Sequence, residues 1–230
     1  LDFPANFETI VVPFHMPKTK PKACNYGLFF CKGIYLTIYD AEDVPDSDQL
    51  KKVVSLFRKL PKDYVVLQGA LNYFNKNENL LTRMFTLEYS YWFDYMLPGL
   101  QSLDVPIPLG GTSNHFKLDK LKELGGWDPF NVTEDADLGV RVFEKRYKVG
   151  VVNSTTLEEA NNEPFNWIRQ RSRWIKGYMQ TLLVHMRNPV RLVNKIGWRG
   201  FFGFNFFVGF TPITFLLYPV LLGFYIIYIV

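Results

Sequence analysis

"IYLTIYDAEDVPDSDQLKKVVSLFRKL", residues 34–60, is the stretch on which the fold turns. Its first six residues are β-branched, aromatic or aliphatic and read as a strand, which runs straight into the carboxylate of Asp40. The second half, "DSDQLKKVVSLFRKL", has the apolar spacing of an amphipathic helix, with Asp46 or Ser47 as its cap. Strand, acidic turn and helix make one unit of an alternating chain. Working outward, "ETIVVPF" (8–14) reads as a strand, and "KPKACNYGLFFCKG" (20–33) as a helix closed by Gly33. On the other side, "YVVLQGA" (64–70) is a third strand, and "ENLLTRMFTLEYSYWFDYMLPGL" (78–100) a long helix stopped near Pro98. Alternation of this kind predicts an α/β domain with a mostly parallel sheet and helices on its faces. In such sheets ligands bind beyond the carboxyl ends of the strands, so Asp40 marks the first place to look.

The far end of the chain has a different character. Of 230 residues, the last acid is Glu163 and the last base Arg199, so "GFFGFNFFVGFTPITFLLYPVLLGFYIIYIV" (200–230) carries no formal charge. An uncharged apolar run of more than ~20 residues is the signature of a membrane span, and Pro212 and Pro219 predict a kink in it. Arg187, Arg191, Lys195 and Arg199 precede the run, with Trp198 beside it. Basic flanks face the cytoplasm and tryptophan sits at headgroup level. The expected organisation is therefore a cytoplasmic domain over 1–186, a basic interfacial segment over 187–200 and a transmembrane segment over 201–230. "NPVRLVNKIGWRG" (188–200) reads equally as a helix lying on the membrane surface or as a solvated linker. The net charge of +4 is gathered near that segment, and no nucleic-acid motif accompanies it, so a nucleic-acid partner is not expected. Cys24 and Cys31 lack the spacing of a zinc site and read as ordinary thiols. The chain opens on Leu1 and ends in apolar sequence, as expected of a piece of a larger, multi-pass protein of the plasma (inner) membrane.

Four polar clusters carry chemistry. Asp40, Glu42 and Asp43 crowd the strand end, and hard cations such as Mg2+ take one or two carboxylates together with substrate phosphates; an acidic loop capping the next helix is the plainer reading. "TKPKACNYG" (19–27) places Lys20 and Lys22 at a helix start, a suitable site for a diphosphate, although solvated lysines fit as well. In "NVTEDADLGVRVF" (131–143), Glu134, Asp135 and Asp137 fall in the first turn of a helix, where its dipole favours carboxylates. Finally, "NWIRQRSRWIKGYMQT" (166–181) puts Gln170, Arg173, Trp174 and Gly177 on one helix face. An Arg–Trp pair offers a ring for stacking and a fork for bidentate contacts; the alternative is a cationic membrane flank.

Their order along the chain is more specific than any one of them. A strand ending in D-x-(D/E), then "GGTSNHF" (110–116), T-E-D, Q-x-x-R-W and a membrane span together resemble the processive family 2 glycosyltransferases, the cellulose synthase-like enzymes of bacterial exopolysaccharide synthesis among them. The resemblance runs from about Phe7 to the tail and implies a GT-A-type fold. It implies that Asp40 with Glu42 or Asp43 holds Mg2+ or Mn2+ and the nucleotide diphosphate, with Lys20 or Lys22 and Asn25 nearby. It makes Asp135 the catalytic base beside Glu134, sets Gly111, Thr112 and Ser113 around the acceptor sugar, and closes Gln170, Arg173 and Trp174 over the diphosphate. The family's first strand and its uridine-binding carboxylate are expected upstream of Leu1. The implied activity is inverting transfer from a nucleotide sugar, a UDP-sugar first, to a growing polysaccharide, with membrane lipid as neighbour. Single-sugar transfer to a lipid phosphate, and a non-catalytic nucleotide-binding scaffold, are the alternatives.

Overall fold

In the computed structural model, which describes residues 6–229, both halves of the opening stretch are present. Helix α1 (Lys20–Gly27) leads to strand β1 (Tyr35–Ile38), and the acid turn is followed by the two-residue strand β2 (Val44–Pro45) and helix α2 (Gln49–Lys59). Val53 and Phe57 of α2, one turn apart, are buried against Leu67 and Val152. Each such side chain contributes about 1.5–3 kcal/mol when fully buried. Strand β3 (Tyr64–Tyr73) and helix α3 (Leu80–Ser90) come next, the helix capped by a reciprocal pair between Asn79 and Thr82.

The long helix expected to stop near Pro98 does not stop there. It widens into a π turn over Tyr91–Met96 and resumes as α4 (Leu97–Leu103), with Pro98 in the first turn of the new segment. The wider π turn just before it suits a proline inside a continuing helix, since the proline has no N–H for the ladder and its ring would crowd the carbonyl four residues back. Strand β4 (Asn114–Lys117), helix α5 (Leu118–Glu123), helix α6 (Glu134–Glu144) and strand β5 (Lys148–Glu158) complete the sheet and its cover.

The sheet order is β1-β4-β3-β5-β2. It is mixed rather than mostly parallel: β1, β3 and β5 share one direction, β4 and β2 run against them, and β3–β5 is the one parallel pairing. The strand expected over 8–14 is absent. Val11 and Phe14 are exposed there, and no neighbouring strand takes up the backbone groups. Helix α1 also ends earlier than Gly33, with the Leu28 N–H donating to the Cys24 carbonyl. The main core, including Leu67's neighbour Val66, Phe116, Leu121 and Leu138, lies where α4, α5 and α6 cover the sheet.

Beyond the sheet the chain is helical. Helix α7 (Pro164–His185) is followed by α8 (Pro189–Phe204), a π turn over Asn205–Gly209, and α9 (Phe210–Ile229). The segment 188–200 is thus a helix rather than a linker, and it breaks at Gly197, whose φ of 70° suits a residue without Cβ. Before the break, Leu192 and Ile196 dock on Val140 of α6; after it, Phe204 and Val208 join the same cluster. The stretch Pro189–Ile229 is, among the described residues, the one helical run long and apolar enough to cross a membrane. Its outer part shows large apolar side chains to the surroundings, Leu216, Phe224 and Ile227 among them. Residues 1–5 and Val230, within the expected first and last segments, lie outside the described residues.

Candidate active site

The acid turn after β1 is a closed loop. The Asp43 N–H donates to the Asp40 carbonyl at 3.2 Å, and the Asp40 N–H donates to Asp43 Oδ2 at 2.6 Å. The same Oδ2 accepts from Thr112 Oγ1. Burial pushes the Asp43 carboxyl above its ordinary range, and the neighbouring charges of Asp40 and Glu42 add to that. Asp40 instead forms an ion pair with Lys20 at the start of α1. The Lys20 ammonium also donates to the Gly111 carbonyl at 2.9 Å, so one cation ties α1, the acid turn and the "GGTS" loop together.

That loop is held from beneath by β3. Gln68 Oε1 accepts from the Gly110 N–H at 2.9 Å, and its Nε2 donates to the Thr112 carbonyl at 3.0 Å. A Cβ built on Gly111 would lie 3.4 Å from Asp135 Oδ2, which places that carboxylate against the loop. Ser113 faces the other way: its hydroxyl lies 2.8 Å from Thr156 Oγ1 and 3.2 Å from Gln49 Oε1, inside the sheet.

Glu134 and Asp135 of the T-E-D turn part company with Asp137 just beyond it. Each occupies the first turn of α6, as the helix-start reading requires. Glu134 has its carboxyl raised by burial, and the charges of Lys20 and Asp40 both act on it. Asp135 is raised to about 7 by burial and by the Glu134 charge, opposed by the Ala136 N–H that donates to its Oδ1 at 2.7 Å. Asp137 points away from both. It accepts from Arg141 Nε at 2.7 Å and His185 Nε2 at 2.9 Å, and these bonds outweigh its burial and hold its carboxyl below the usual range.

Sequence reasoning missed Glu158, at the end of β5. Burial raises its carboxyl to about 8, and Asp43, Asp40 and Glu42 push it further while Lys20 opposes them. The rule that singled out Asp40, ligands gathering at carboxyl ends of parallel strands, applies equally to Glu158, whose strand runs parallel to β3. Arg171 was also missed. It donates to both oxygens of Glu88 and lies over the rings of Phe85 (4.8 Å), Trp174 (4.9 Å) and Trp167 (5.7 Å). Trp174 and Trp167 pack with Tyr73 and Phe85, and Tyr73 is the register partner of Glu158. One turn along α7, Tyr178 feels the Asp135 charge. The aromatic bank therefore lies beside Glu158 at one end and near Asp135 at the other.

The other expected residues divide. Gln170 accepts from Asn161 at 2.8 Å, and Gly177 is pressed against Thr133. Arg173 is exposed and makes no ion pair among the described residues. Lys22 donates to the Pro13 carbonyl at 3.2 Å and to that of His15, away from the acid turn. Asn25 clasps the Trp127 backbone, donating to its carbonyl at 2.6 Å and accepting from its N–H at 2.9 Å.

The family follows from comparison with known sequences. Residues 35–230 match the family described as "Glycosyl transferase family group 2". The chain belongs to that family. Its relatives include the "Probable glycosyltransferase YdaM" of Bacillus subtilis, 27% identical over 81% of this chain and 44% of that protein. "Glucomannan 4-beta-mannosyltransferase 7" of Arabidopsis thaliana is 26% identical over 72% of this chain and 30% of its own length. This family 2 chain thus spans less than half the length of these curated relatives. Among solved structures, the mannosyltransferase PcManGT of Pyrobaculum calidifontis, in complex with GDP-Man and Mn2+, superposes with a TM-score of 0.51 at 16% identity. That match covers 76% of this chain and 52% of the other, and it shows a shared GT-A-like fold.

Divalent-metal chemistry can be tested against the donors present. Among the described residues no three His, Cys, Asp or Glu side chains gather as a complete metal cage. The turn instead offers hard carboxylate oxygens in Asp40, Glu42 and Asp43, with Asp43 Oδ1 buried and lacking a hydrogen-bond partner. These residues fit a cation held by one or two carboxylates and completed by substrate phosphate oxygens. They do not fit a resident, protein-only site.

Proposed function

We propose that the chain is the catalytic part of a membrane-bound inverting glycosyltransferase, moving sugar from a nucleotide diphosphate sugar to a growing polysaccharide on the cytoplasmic side of the plasma membrane. The observation that carries this reading is the convergence on Lys20. Asp40 and the Gly111 carbonyl bind it directly, and Glu134, Asp135 and Glu158 all lie within its field. That convergence on one cation supports grouping the diphosphate-binding residues and the acceptor-side base in one site.

Asp135 is the base. Its Oδ1 is occupied by the Ala136 N–H, which leaves Oδ2, beside Gly111, to take the proton of the acceptor hydroxyl. A pKa of about 7 matches a base to a near-neutral medium. Lys20 exchanges Asp40 for the donor diphosphate, and exposed Arg173 adds a guanidinium to the same oxygens. Mg2+ or Mn2+ at Asp40, with Glu42 or Asp43, would supply neutralisation of the departing diphosphate. Trp174, braced by Arg171, gives the acceptor sugar an apolar wall. In this reading Lys22, Asn25 and Ser113, which hydrogen-bond to the Pro13 carbonyl, the Trp127 backbone and Thr156, shape the site from behind.

The motif order favours a UDP-sugar donor. The names of the plant relatives and the GDP-Man bound to the archaeal neighbour make GDP-mannose its competitor. Full-length protein in membranes, given labelled UDP-sugars and GDP-mannose with and without Mg2+ or Mn2+, tests the reading. A metal-dependent polymer from one donor is expected. A product of one sugar on a lipid phosphate overturns the polymer claim, and wild-type transfer by Asp135→Asn overturns the assignment of the base.

A further inference from the structure

The face of α6 opposite Asp135 borders a cavity of about 630 Å³, between α6, the end of α7 and the start of α8. Arg141, His185, Arg187, Arg191 and Lys195 line it, together with Asp128 and two further acids. Those two acids are already satisfied from within: Asp137 by Arg141 and His185, and Glu144 by His185 at 3.3 Å and Lys195 at 2.5 Å. Cationic capacity is left over. Arg187 and Arg191 are exposed and form no ion pair among the described residues, and Arg141 Nη2 has no acceptor.

The place of the cavity says what anion it meets. Arg187 and Arg191 flank the start of α8, which breaks at Gly197 and continues, past exposed Trp198, into the apolar helix. A tryptophan and basic residues at the foot of such a helix sit at headgroup level, where the anionic lipids of the cytoplasmic leaflet carry their phosphates. We propose that this cavity binds the phosphate of an anionic phospholipid head group, with Arg187 and Arg191 as its direct contacts. The proposal rests on the membrane reading of α9 and goes beyond the transferase reaction. Because α6 forms one wall and begins with the T-E-D turn, a bound lipid braces the helix that carries Asp135.

The test uses full-length protein in phosphatidylcholine nanodiscs with and without phosphatidylglycerol, read by native mass spectrometry for retained lipid and by Tm. Wild type is expected to retain phosphatidylglycerol and gain Tm from it. Arg187→Ala/Arg191→Ala is expected to bind it roughly tenfold more weakly, through loss of charge-assisted contacts to phosphate. Arg199→Ala, equally basic but outside the cavity, is expected to behave as wild type. Equal losses in the two variants, or none in the first, overturn the proposal. A Tm gain from inorganic phosphate alone, matching that from phosphatidylglycerol, makes the site one for free anion and overturns the lipid assignment. Where the alanine pair lowers Tm in pure phosphatidylcholine, Arg187→Gln/Arg191→Gln replaces it with the same expected result. Failure to enter phosphatidylcholine discs at all overturns the membrane reading itself, which separates the two.

Discussion

Asp135 carries the burden of being ionisable where water is scarce. Burial and Glu134 lift its pKa to about 7, from the ~3.9 of an unfolded aspartate. A carboxyl raised on folding stabilises the fold in its protonated form; that contribution is complete below about pH 4 and is lost as pH rises through about 7. Asp135→Asn keeps the shape and removes the charge. It is expected to abolish transfer yet stabilise the fold by roughly 1–3 kcal/mol at pH 8, the gain shrinking toward zero near pH 4. Thermal unfolding of both proteins across that range checks it, and a pH-independent difference would contradict the burial argument. For wild type, transfer is expected to rise with pH through about 7 as Asp135 becomes a base. Sequence showed which residue types crowd the site, but not how three neighbouring acids divide. Asp135 and Asp137 point to opposite sides of one helix, and only the partners Gly111 and His185, far away in the chain, tell them apart. Lys22 and Asn25 were singled out because charge and a helix start are local signals; their hydrogen bonds to Pro13, His15 and Trp127 were not legible in the same way.

Elements position these residues through a few close seams. Helix α7 lies on the T-E-D turn at Gly177, where a Cβ would come within 2.4 Å of the Thr133 side chain. Thr133 has little room to yield, since its N–H donates to Asn131 Oδ1 and its hydroxyl lies 3.4 Å from that of Thr181. Gly177→Ala is expected to cost about 1–3 kcal/mol and to lower kcat more than it changes KM, because the turn bearing Asp135 moves. Gly223→Ala, with open space around it, is the control and is expected to leave Tm unchanged. Further along the same seam, burial opposes protonation of His185, but bonds to Asp137 and Glu144 prevail and raise it to about 9. A histidine raised on folding lends stability that is full below about pH 6.5 and is lost as pH climbs through about 9. Tm is therefore expected to fall over that interval in wild type and to fall less in His185→Gln. The elements legible in the sequence were those with a local signal, among them β1, α2, β3, α3 and the start of α6. Strands β4 and β5 were not read, since β4, Asn-His-Phe-Lys, lacks the β-branched and apolar run that marks β1, and the parallel pairing of β5 with β3 joins positions some eighty residues apart. The false strand over 8–14 shows the converse: an apolar run with no neighbour to complete its hydrogen bonds stays irregular.

At the scale of the whole molecule, the character of the surface changes along one run of helix. Before Gly197, α8 packs its apolar side on α6 through Leu192 and Ile196; Phe204 and Val208 continue that seam after it, and only beyond them do the large apolar side chains turn outward. Leu216, Leu217, Val220, Leu221 and Phe224 are all exposed along α9, the reverse of what water permits a globular protein to show over so long a surface. At 1.5 Å per residue, the 20 residues of Phe210–Ile229 span about the thickness of a bilayer's hydrocarbon core. Pro219 sits inside that helix, an interruption that neighbouring spans or local adjustment can satisfy in lipid. If lipid is the missing partner, one charge near the helix centre must be costly. Leu221→Arg is expected to cost about 2.5–3.5 kcal/mol of insertion free energy, whereas Leu221→Phe should be neutral. Carbonate extraction of full-length protein, with the segment isolated in a single-span insertion reporter, measures it directly. Equal extraction of both variants would mean that another protein surface, and not the bilayer, covers these side chains.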